Sequence, residues 1–104
     1  MFTELRQMFG ECIAIWILLE WKKMGKPQPL KLVELGPGHG TLMQDILKTI
    51  NKISPDELKH LQIHLVETSP NLMKIQDSRL KIFQEKIEAD IKWHSRVAEV
   101  PKGK

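Results

Sequence analysis
The chain has 104 residues and a formal net charge of +3. Its hydrophobic fraction of 41% and charged fraction of 28% are typical of a globular protein, which argues against disorder and predicts one small domain. The lysines form no dense run and no aromatic residues interleave with them, so a solvated basic surface is favoured over a nucleic-acid-binding face.

Cys12 is the single cysteine, which excludes an internal disulfide and a cysteine-based metal site. Its place in the apolar run CIAIWILL predicts a buried, unreactive thiol. The same run is far shorter than the roughly twenty residues that a membrane-spanning helix needs. The N-terminus shows no basic segment followed by an apolar core and a cleavage site, so no targeting segment is visible in the chain.

The first element is a predicted helix over about residues 4–24, because apolar side chains recur there at intervals of three and four. Gly25 and the prolines that follow end it. The apolar stripe is wide, which favours packing on more than one neighbour. Its large side chains are predicted to lie in the core or at an interface: Met8, Trp16, Trp21 and Met24.

Three short apolar segments predict strands: LKLVEL at 30–35, LQIHLVE at 61–67 and DIKWH at 90–94. Their length and the turn residues that bound them favour strands over helices. In the second segment apolar and polar residues alternate, which places His64 on the less buried face.

Helices are predicted between these strands. Amphipathic spacing over about 42–50 predicts the first. Ser54 and Ser69, each followed by proline, predict the N-termini of two more, and Glu57 completes a capping box with the earlier serine. The last helix has an apolar face that allows a break near Ser78. Strands that alternate with helices predict an α/β fold with parallel strands joined by right-handed crossovers.

The most informative stretch joins the first strand to the helix after it, in the sequence ELGPGHGTL. Gly36, Gly38 and Gly40 lie at the carboxyl end of a predicted parallel strand, which is where open sheets of this kind bind ligands. Glycines allow positive φ and a close approach of ligand to backbone. The loop is not a P-loop, because no Lys-Ser or Lys-Thr pair follows it. The spacing G-x-G-x-G also departs from the dinucleotide fingerprint G-x-G-x-x-G.

Two carboxylates flank this loop in the predicted fold. Glu34 precedes the loop, and Glu67 stands at the end of the second strand, where it can accept hydrogen bonds from a ribose diol. Acidic surroundings suit a ligand that carries positive charge and ribose hydroxyls. Glu34 is open to a second interpretation, as a partly buried carboxylate that caps loop amides.

Other polar residues give weaker signals. His39 is predicted to lie on the loop surface rather than to act as a base. His60, His64 and His94 lack the spacing of metal ligands. Trp93 could reach an adenine by its strand position, although a packing role is favoured.

Residues 32 to 42, LVELGPGHGTL, and residues 64 to 76, HLVETSPNLMKIQ, resemble the first two motifs of class I S-adenosylmethionine-dependent methyltransferases. Together with QMFGECIAIWILLEW at 7 to 21 and IKWHSRVAEVP at 91 to 101, they make the chain similar to the MidA family from Gln7 onward. This family includes a mitochondrial arginine methyltransferase that assists the assembly of respiratory complex I.

The resemblance implies S-adenosyl-L-methionine as the cofactor and symmetric methylation of an arginine in a complex I subunit of the mitochondrial matrix. By position, Gly36, Gly38 and Gly40 would line the methionine and ribose portions of the cofactor, and Glu67 would hold the ribose. Glu34 completes the predicted cofactor site. The resemblance identifies no catalytic residue and implies no metal, and it leaves the oligomeric state open.

Family members continue past the last strand of this chain, and the opening MFTEL differs from their approach to QMFGE. We therefore expect a truncated Rossmann-like methyltransferase fold of about three parallel strands, with an N-terminal helix over 1–25 and the first half of the cofactor-binding domain over 30–104. The first strand is then an open apolar edge. Two other functions stay open: an inactive fragment that binds a partner through its first helix and sheet edge, and a small-molecule methyltransferase or NAD-type module.

Overall fold
The computed structural model describes residues 2–100, with no side-chain description at positions 2, 3 and 97. The end of the region that resembles the MidA family, Pro101, lies outside the described residues. Two 3-10 turns, Pro55–His60 and Val97–Glu99, accompany three α-helices and three strands. These elements are α1 (Phe2–Lys23), β1 (Leu30–Leu35), α2 (Thr41–Ile53), β2 (Leu61–Val66), α3 (Pro70–Lys86) and β3 (Asp90–His94).

The three strands form one parallel sheet in the order β1-β2-β3. Leu32 pairs with Ile63, and Ile63 in turn pairs with Ile91. Parallel neighbours need a long crossover, which α2 provides for the first pair of strands and α3 for the second. The predicted α/β fold with three parallel strands and an N-terminal helix is confirmed.

The core lies between the sheet and the helices, with β2 at its centre. All but one of the β2 residues are buried, as expected for a central parallel strand. His64 is among them, so the polar face of the predicted alternation is partly buried as well. Most of the large, fully buried apolar side chains come from α2, the following 3-10 turn, β2 and α3, and α1 adds one: Trp21, Leu47, Ile50, Leu58, Ile63, Leu65 and Leu80.

Helix α1 packs along α2 at close range. A Cβ atom on Gly10 would lie 2.6 Å from Cβ of Asp45, so this contact requires a residue without a side chain. One turn earlier, Arg6 forms an ion pair with Asp45 at 2.6 Å. Trp21 is buried as predicted, and its indole N–H donates to the carbonyl of Pro27 at 2.8 Å.

The outward side of α1 corrects several predictions of burial. Trp16 is 60% exposed, Met8 and Met24 are also exposed, and the thiol of Cys12 lies at the surface. The helix is apolar on most of its circumference, but within residues 2–100 it is covered mainly by α2. The wide stripe predicted packing on more than one neighbour, whereas among residues 2–100 only α2 covers α1 extensively.

The helix ends give a mixed result. Ser69 caps α3, because its hydroxyl oxygen accepts from the amide of Leu72 at 3.2 Å. Ser54 makes no side-chain cap bond to the turn that follows it, and Glu57 pairs with Lys26 at 3.2 Å instead of completing a capping box. Helix α3 runs without interruption through Ser78, so the expected break is absent.

Strand β1 lies at the edge of the described sheet, as predicted. Val33 and Leu35 are 48% and 62% exposed, so this edge presents apolar side chains. The part of the chain from 2 to 100 contains no helix with both the length and the apolar character to cross a membrane.

Candidate cofactor site
The loop between β1 and α2 carries the three glycines at the carboxyl end of the sheet. Gly36, Gly38 and Gly40 have φ angles of 57°, 59° and 79°, which residues with a Cβ atom rarely adopt. A Cβ atom at Gly36 or Gly38 would meet no described atom within 4 Å. At Gly40 it would lie 3.5 Å from Cα of Gln76. The first two glycines therefore face open space, and the third faces α3.

Backbone hydrogen bonds fix the loop to the sheet. The amide of Gly36 donates to the carbonyl of Val66 at 2.9 Å, which holds the start of the loop against the end of β2. Within the loop, the amide of Gly40 donates to the carbonyl of Pro37 at 2.9 Å. The loop is thus closed by a hydrogen bond between its own residues, in addition to its bond to β2.

Helix α3 holds the loop from the other side. The guanidinium of Arg79 donates through Nε to the carbonyl of His39 at 2.8 Å, on an exposed surface. One turn earlier on α3, the side-chain amide of Gln76 donates through Nε2 to the carbonyl of Gly38 at 2.7 Å. Two consecutive loop carbonyls are therefore bound by side chains on one face of α3.

Glu67 follows the last residue of β2 and is only 7% exposed. Its Oε2 accepts from the amide of Ser69 at 3.1 Å, and its Oε1 accepts from Nε2 of Gln76 at 3.0 Å. Its own amide donates to the carbonyl of His94 at 2.9 Å, which ties it to β3. A buried carboxylate needs such donors, and each of its oxygens keeps acceptor capacity for a further donor.

Gln76 joins Glu67 to the glycine loop. Its Nε2 donates to both Gly38 and Glu67, and its Oε1 accepts from the indole N–H of Trp93 at 2.9 Å. The side chain is fully buried. Trp93 is therefore held by a hydrogen bond and by packing against the core, in agreement with the packing role favoured for it.

Glu34 lies on the other side of the loop. Its side chain lines a cavity of about 250 Å³ between α1, β1 and α2, next to Trp16 and Leu42. One carboxylate oxygen, Oε1, is buried and has no hydrogen-bond partner among the described residues. Burial raises the pKa of the Glu34 carboxyl above its ordinary value.

The register of the sheet relates the two carboxylates. Glu34 pairs with Leu65, and Glu67 lies two positions further along the chain from that partner, roughly 7 Å at the rise of a strand. Side chains two positions apart share a face, so Glu34 and Glu67 both belong to the face of the sheet that bears Leu65. The predicted site residues thus meet around the loop, with Glu67 bonded into it through Gln76 and Glu34 outside that network.

The histidines separate into two groups. The side chain of His39 is exposed on the loop, as predicted. His64 Nδ1 and His94 Nε2 lie 2.8 Å apart between β2 and β3, with their rings stacked. No group of three or more His, Cys, Asp or Glu side chains with metal-binding geometry occurs among the described residues.

The sequence prediction missed Gln76, although a signal was present. Gln76 stands four residues after Leu72 and four before Leu80, so it occupies the apolar face of α3. The neighbouring Ile75 is 40% exposed, although it is apolar and Gln76 is not. A single amide in a row of apolar positions indicates a buried polar group with specific partners.

Comparison with known proteins places the chain in a class. The family model described as "Putative S-adenosyl-L-methionine-dependent methyltransferase" matches residues 12–104. The chain therefore belongs to this family, and S-adenosyl-L-methionine is the family's cofactor.

Individual relatives narrow the likeness further. The chain is 41% identical over 116 residues to the "Protein arginine methyltransferase NDUFAF7 homolog, mitochondrial" of Drosophila melanogaster, and 36% identical over 120 residues to the "Protein arginine methyltransferase NDUFAF7, mitochondrial" of Homo sapiens. Each alignment covers 96% of this chain and 26% of the relative. The chain thus spans about a quarter of the length of these relatives, which are named as mitochondrial proteins.

The residues present fit the family's cofactor on three structural grounds. The loop offers open space at Gly36 and Gly38, where added side chains would stand. Glu67 has acceptor capacity beyond its two protein donors. Glu34 holds a buried carboxylate oxygen without a partner in the described part of the chain. Carboxylates beside a bare backbone suit a ligand that combines hydroxyl donors with positive charge.

Proposed function
We propose that this chain supplies the cofactor-binding part of an S-adenosylmethionine-dependent protein-arginine methyltransferase. The observation that carries the proposal is the hydrogen-bonded chain from Glu67 through Gln76 to Gly38. It brings the acid at the end of β2 to the glycine loop at the end of β1. Membership of the methyltransferase family supports the identity of the ligand.

In this proposal each site residue has a defined task. Gly36, Gly38 and Gly40 line the methionine and ribose portions of the ligand with backbone alone. Glu67 accepts hydrogen bonds from the ribose hydroxyls. Glu34 faces the positively charged portion, where its buried carboxylate oxygen would gain a partner.

The bound cofactor would supply an electrophilic methyl group on a sulfonium centre. The task of this chain is then to orient that group and to exclude water from one side of it, since positioning is a major source of rate enhancement in transfer reactions. No residue among 2–100 is assigned as a catalytic acid or base. In this proposal, carboxylates that keep a guanidinium nitrogen nucleophilic come from outside residues 2–100.

The proposed substrate is an arginine side chain of a respiratory complex I subunit, methylated symmetrically in the mitochondrial matrix. The names of the relatives support an arginine substrate and a mitochondrial location. The complex I subunit, the symmetry of methylation and the matrix follow from the resemblance to the MidA family alone. The division of the chain into a helix over 1–25 and the first half of the cofactor domain over 30–104 is part of the same proposal.

Titration calorimetry tests the cofactor site. We expect heat from S-adenosylmethionine but not from NAD, and a weakening of at least about tenfold in Glu67→Gln, since a hydrogen bond to a charged group contributes about 1.5–3 kcal/mol. Glu57→Gln is the matched control, because Glu57 pairs with Lys26 and has no role in the proposed site. Equal weakening in both variants would contradict the assignment of Glu67.

Methyl transfer is tested separately, with an arginine-containing peptide and mass spectrometry of the product. Symmetric dimethylarginine is the expected product, whereas methylation of a small-molecule acceptor alone would favour the small-molecule alternative. This assay addresses the substrate, and calorimetry addresses the cofactor.

A second candidate function is that of a non-enzymatic interaction fragment. The exposed apolar surface of α1 and the edge of β1 favour it, with Trp16 and Leu35 both at least 60% exposed. Folded chain that gives no heat with S-adenosylmethionine but binds another protein through this surface would support that function over the enzymatic one.

A further inference from the structure
Gln76 is the buried junction of the candidate site. It is fully buried and contacts three parts of the fold: the glycine loop, the acid after β2, and Trp93 on β3. The orientation of its amide follows from these partners. The Gly38 carbonyl can only accept and the Trp93 indole can only donate, so Nε2 faces the loop and Oε1 faces the indole.

The amide uses both of its N–H donors on groups that matter to the ligand. One N–H binds the Gly38 carbonyl at 2.7 Å, and the other binds Oε1 of Glu67 at 3.0 Å. The distance between the loop and the carboxylate is therefore set by one side chain. Gly40 adds a second constraint, since a Cβ atom added there would lie 3.5 Å from both Cα and Cγ of Gln76.

Because Gln76 carries no charge, it can bind Glu67 without neutralising the carboxylate. A lysine or arginine here would form an ion pair with Glu67 and compete with hydroxyl donors for its oxygens. The amide satisfies one oxygen of the carboxylate without cancelling its charge. The amide of Ser69 does the same for the other oxygen.

We infer that Gln76 is a positioning residue that sets the preference of the site for ribose over deoxyribose. This inference rests on the proposed function, in which Glu67 accepts from the ribose hydroxyls. Gln76 touches neither the ligand nor the reacting atoms in this scheme; it acts by holding Glu67 and Gly38 in register.

The test uses two variants and one control in the full chain. Gln76→Met keeps the length of the side chain but removes its donors, and Gln76→Glu keeps the shape but turns acceptors towards Gly38 and Glu67. Leu80→Ala is the control, because Leu80 is fully buried on the same helix but takes no part in these hydrogen bonds. It separates a general loss of stability from a specific loss of positioning.

The first measurement needs no ligand. Amide hydrogen exchange is followed by NMR at Gly40 and Ser69, whose amides bond to Pro37 and Glu67. Compared at equal global stability, Gln76→Met should lose at least about tenfold more protection at both amides than Leu80→Ala, the loss expected for one hydrogen bond to a charged group. Equal protection in the two variants would overturn the positioning role.

The second measurement compares the affinity for S-adenosylhomocysteine with that for its 2′-deoxyribose analogue. The wild-type chain and Leu80→Ala should prefer the ribose form by about tenfold, the contribution of one such hydrogen bond. Gln76→Met and Gln76→Glu should lose this preference. An unchanged preference in Gln76→Met contradicts the role of Gln76 alone, whereas a wild-type chain that binds neither ligand contradicts the proposed cofactor site itself.

Discussion
The two sides of the glycine loop differ in how completely their polar groups are paired. On the side of β2 and α3, Glu67 and Gln76 are buried, and each makes several hydrogen bonds. On the side of β1 and α1, Glu34 keeps a buried oxygen without a described partner beside a cavity. On the first side the buried polar groups have hydrogen-bond partners, as in a protein core. On the second side a buried carboxylate oxygen could still accept a hydrogen bond from a ligand.

This difference indicates where a ligand has most to gain. A ligand that bound only to the paired side would use the acceptor capacity that remains on Glu67, because the other polar groups there already have partners. A ligand that also reached the open side would satisfy Glu34 and cover apolar surface. The account therefore places the ligand over the loop, held by Glu67 and extending towards β1.

The largest expected effect is a difference in the free energy of unfolding between variants in the covered strand β2 and variants in the open edge strand β1. Leu65→Ala, at a fully buried position of β2, should lower the free energy of unfolding by about 2–5 kcal/mol. Leu35→Ala, at an exposed position of β1, should change it by at most about 0.5 kcal/mol. Urea unfolding measures both. A large loss from Leu35→Ala would mean that β1 is covered in the folded chain.

The glycines provide the next comparison. Gly38→Ala and Gly40→Ala should each cost about 1–2 kcal/mol of stability, because alanine is strained at positive φ. Only the first places its methyl group in the open space proposed for the ligand. Calorimetry with S-adenosylmethionine should therefore show a greater loss of affinity in Gly38→Ala. Equal losses would contradict the placement of the ligand over Gly38.

Substitution of Glu34 should have a smaller effect, which raises stability but lowers affinity for the cofactor. Burial raises the pKa of the Glu34 carboxyl, so the charged form is less stable in the folded chain than in the unfolded chain. Glu34→Gln should raise the free energy of unfolding at pH 7 by about 0.5–1 kcal/mol, a value reduced for partial exposure of the site. The same variant should bind S-adenosylmethionine more weakly. If stability and affinity both fell, Glu34 would be a structural residue.

The smallest effect concerns pH and the histidine pair between β2 and β3. Burial, followed by the charges of His94 and Lys92, lowers the pKa of His64, whereas Asp90 opposes this shift. Because the unfolded chain takes up a proton near pH 6.5 and the folded chain does so only at lower pH, stability should fall as the pH drops below about 6.5. The slope for one proton is at most about 1.4 kcal/mol per pH unit.

Urea unfolding at pH 7.5 and pH 5.5 measures this dependence. His64→Gln should lose less stability on acidification than the wild-type chain does. His60→Gln, in the 3-10 turn before β2, should behave like the wild type. The same acid loss in His64→Gln and the wild type would show that other groups dominate the titration.

The strands and the loop could be predicted from sequence because their signals are local. The run from Leu30 to Leu35 is short, apolar and bounded by turn residues. The Ser69-Pro70 pair predicts a helix start, and the structure confirms it with a cap bond. The glycines at 36, 38 and 40 predicted a loop with positive φ angles, and all three have them in the structure.

The remaining features depend on which surfaces meet, and no local pattern encodes that. Trp16 lies between two isoleucines and Trp21 between Glu20 and Lys22 on the same helix, yet the first is exposed and the second is buried. Asp45 lies between apolar positions of an amphipathic helix, and it is buried because Gly10 of α1 approaches it closely. Gln76 acquires its role from partners that are 38, 9 and 17 residues distant in the chain.

NMR mapping tests the central claim of a cofactor site most directly, with S-adenosylhomocysteine added to the isotopically labelled chain. We predict that chemical-shift changes concentrate at the amides of Gly36, of residues 38–41 and of residues 67–69, with a smaller change at Glu34. Changes confined to α1 and the 3-10 turn at 55–60, or no changes in a folded chain, would contradict it.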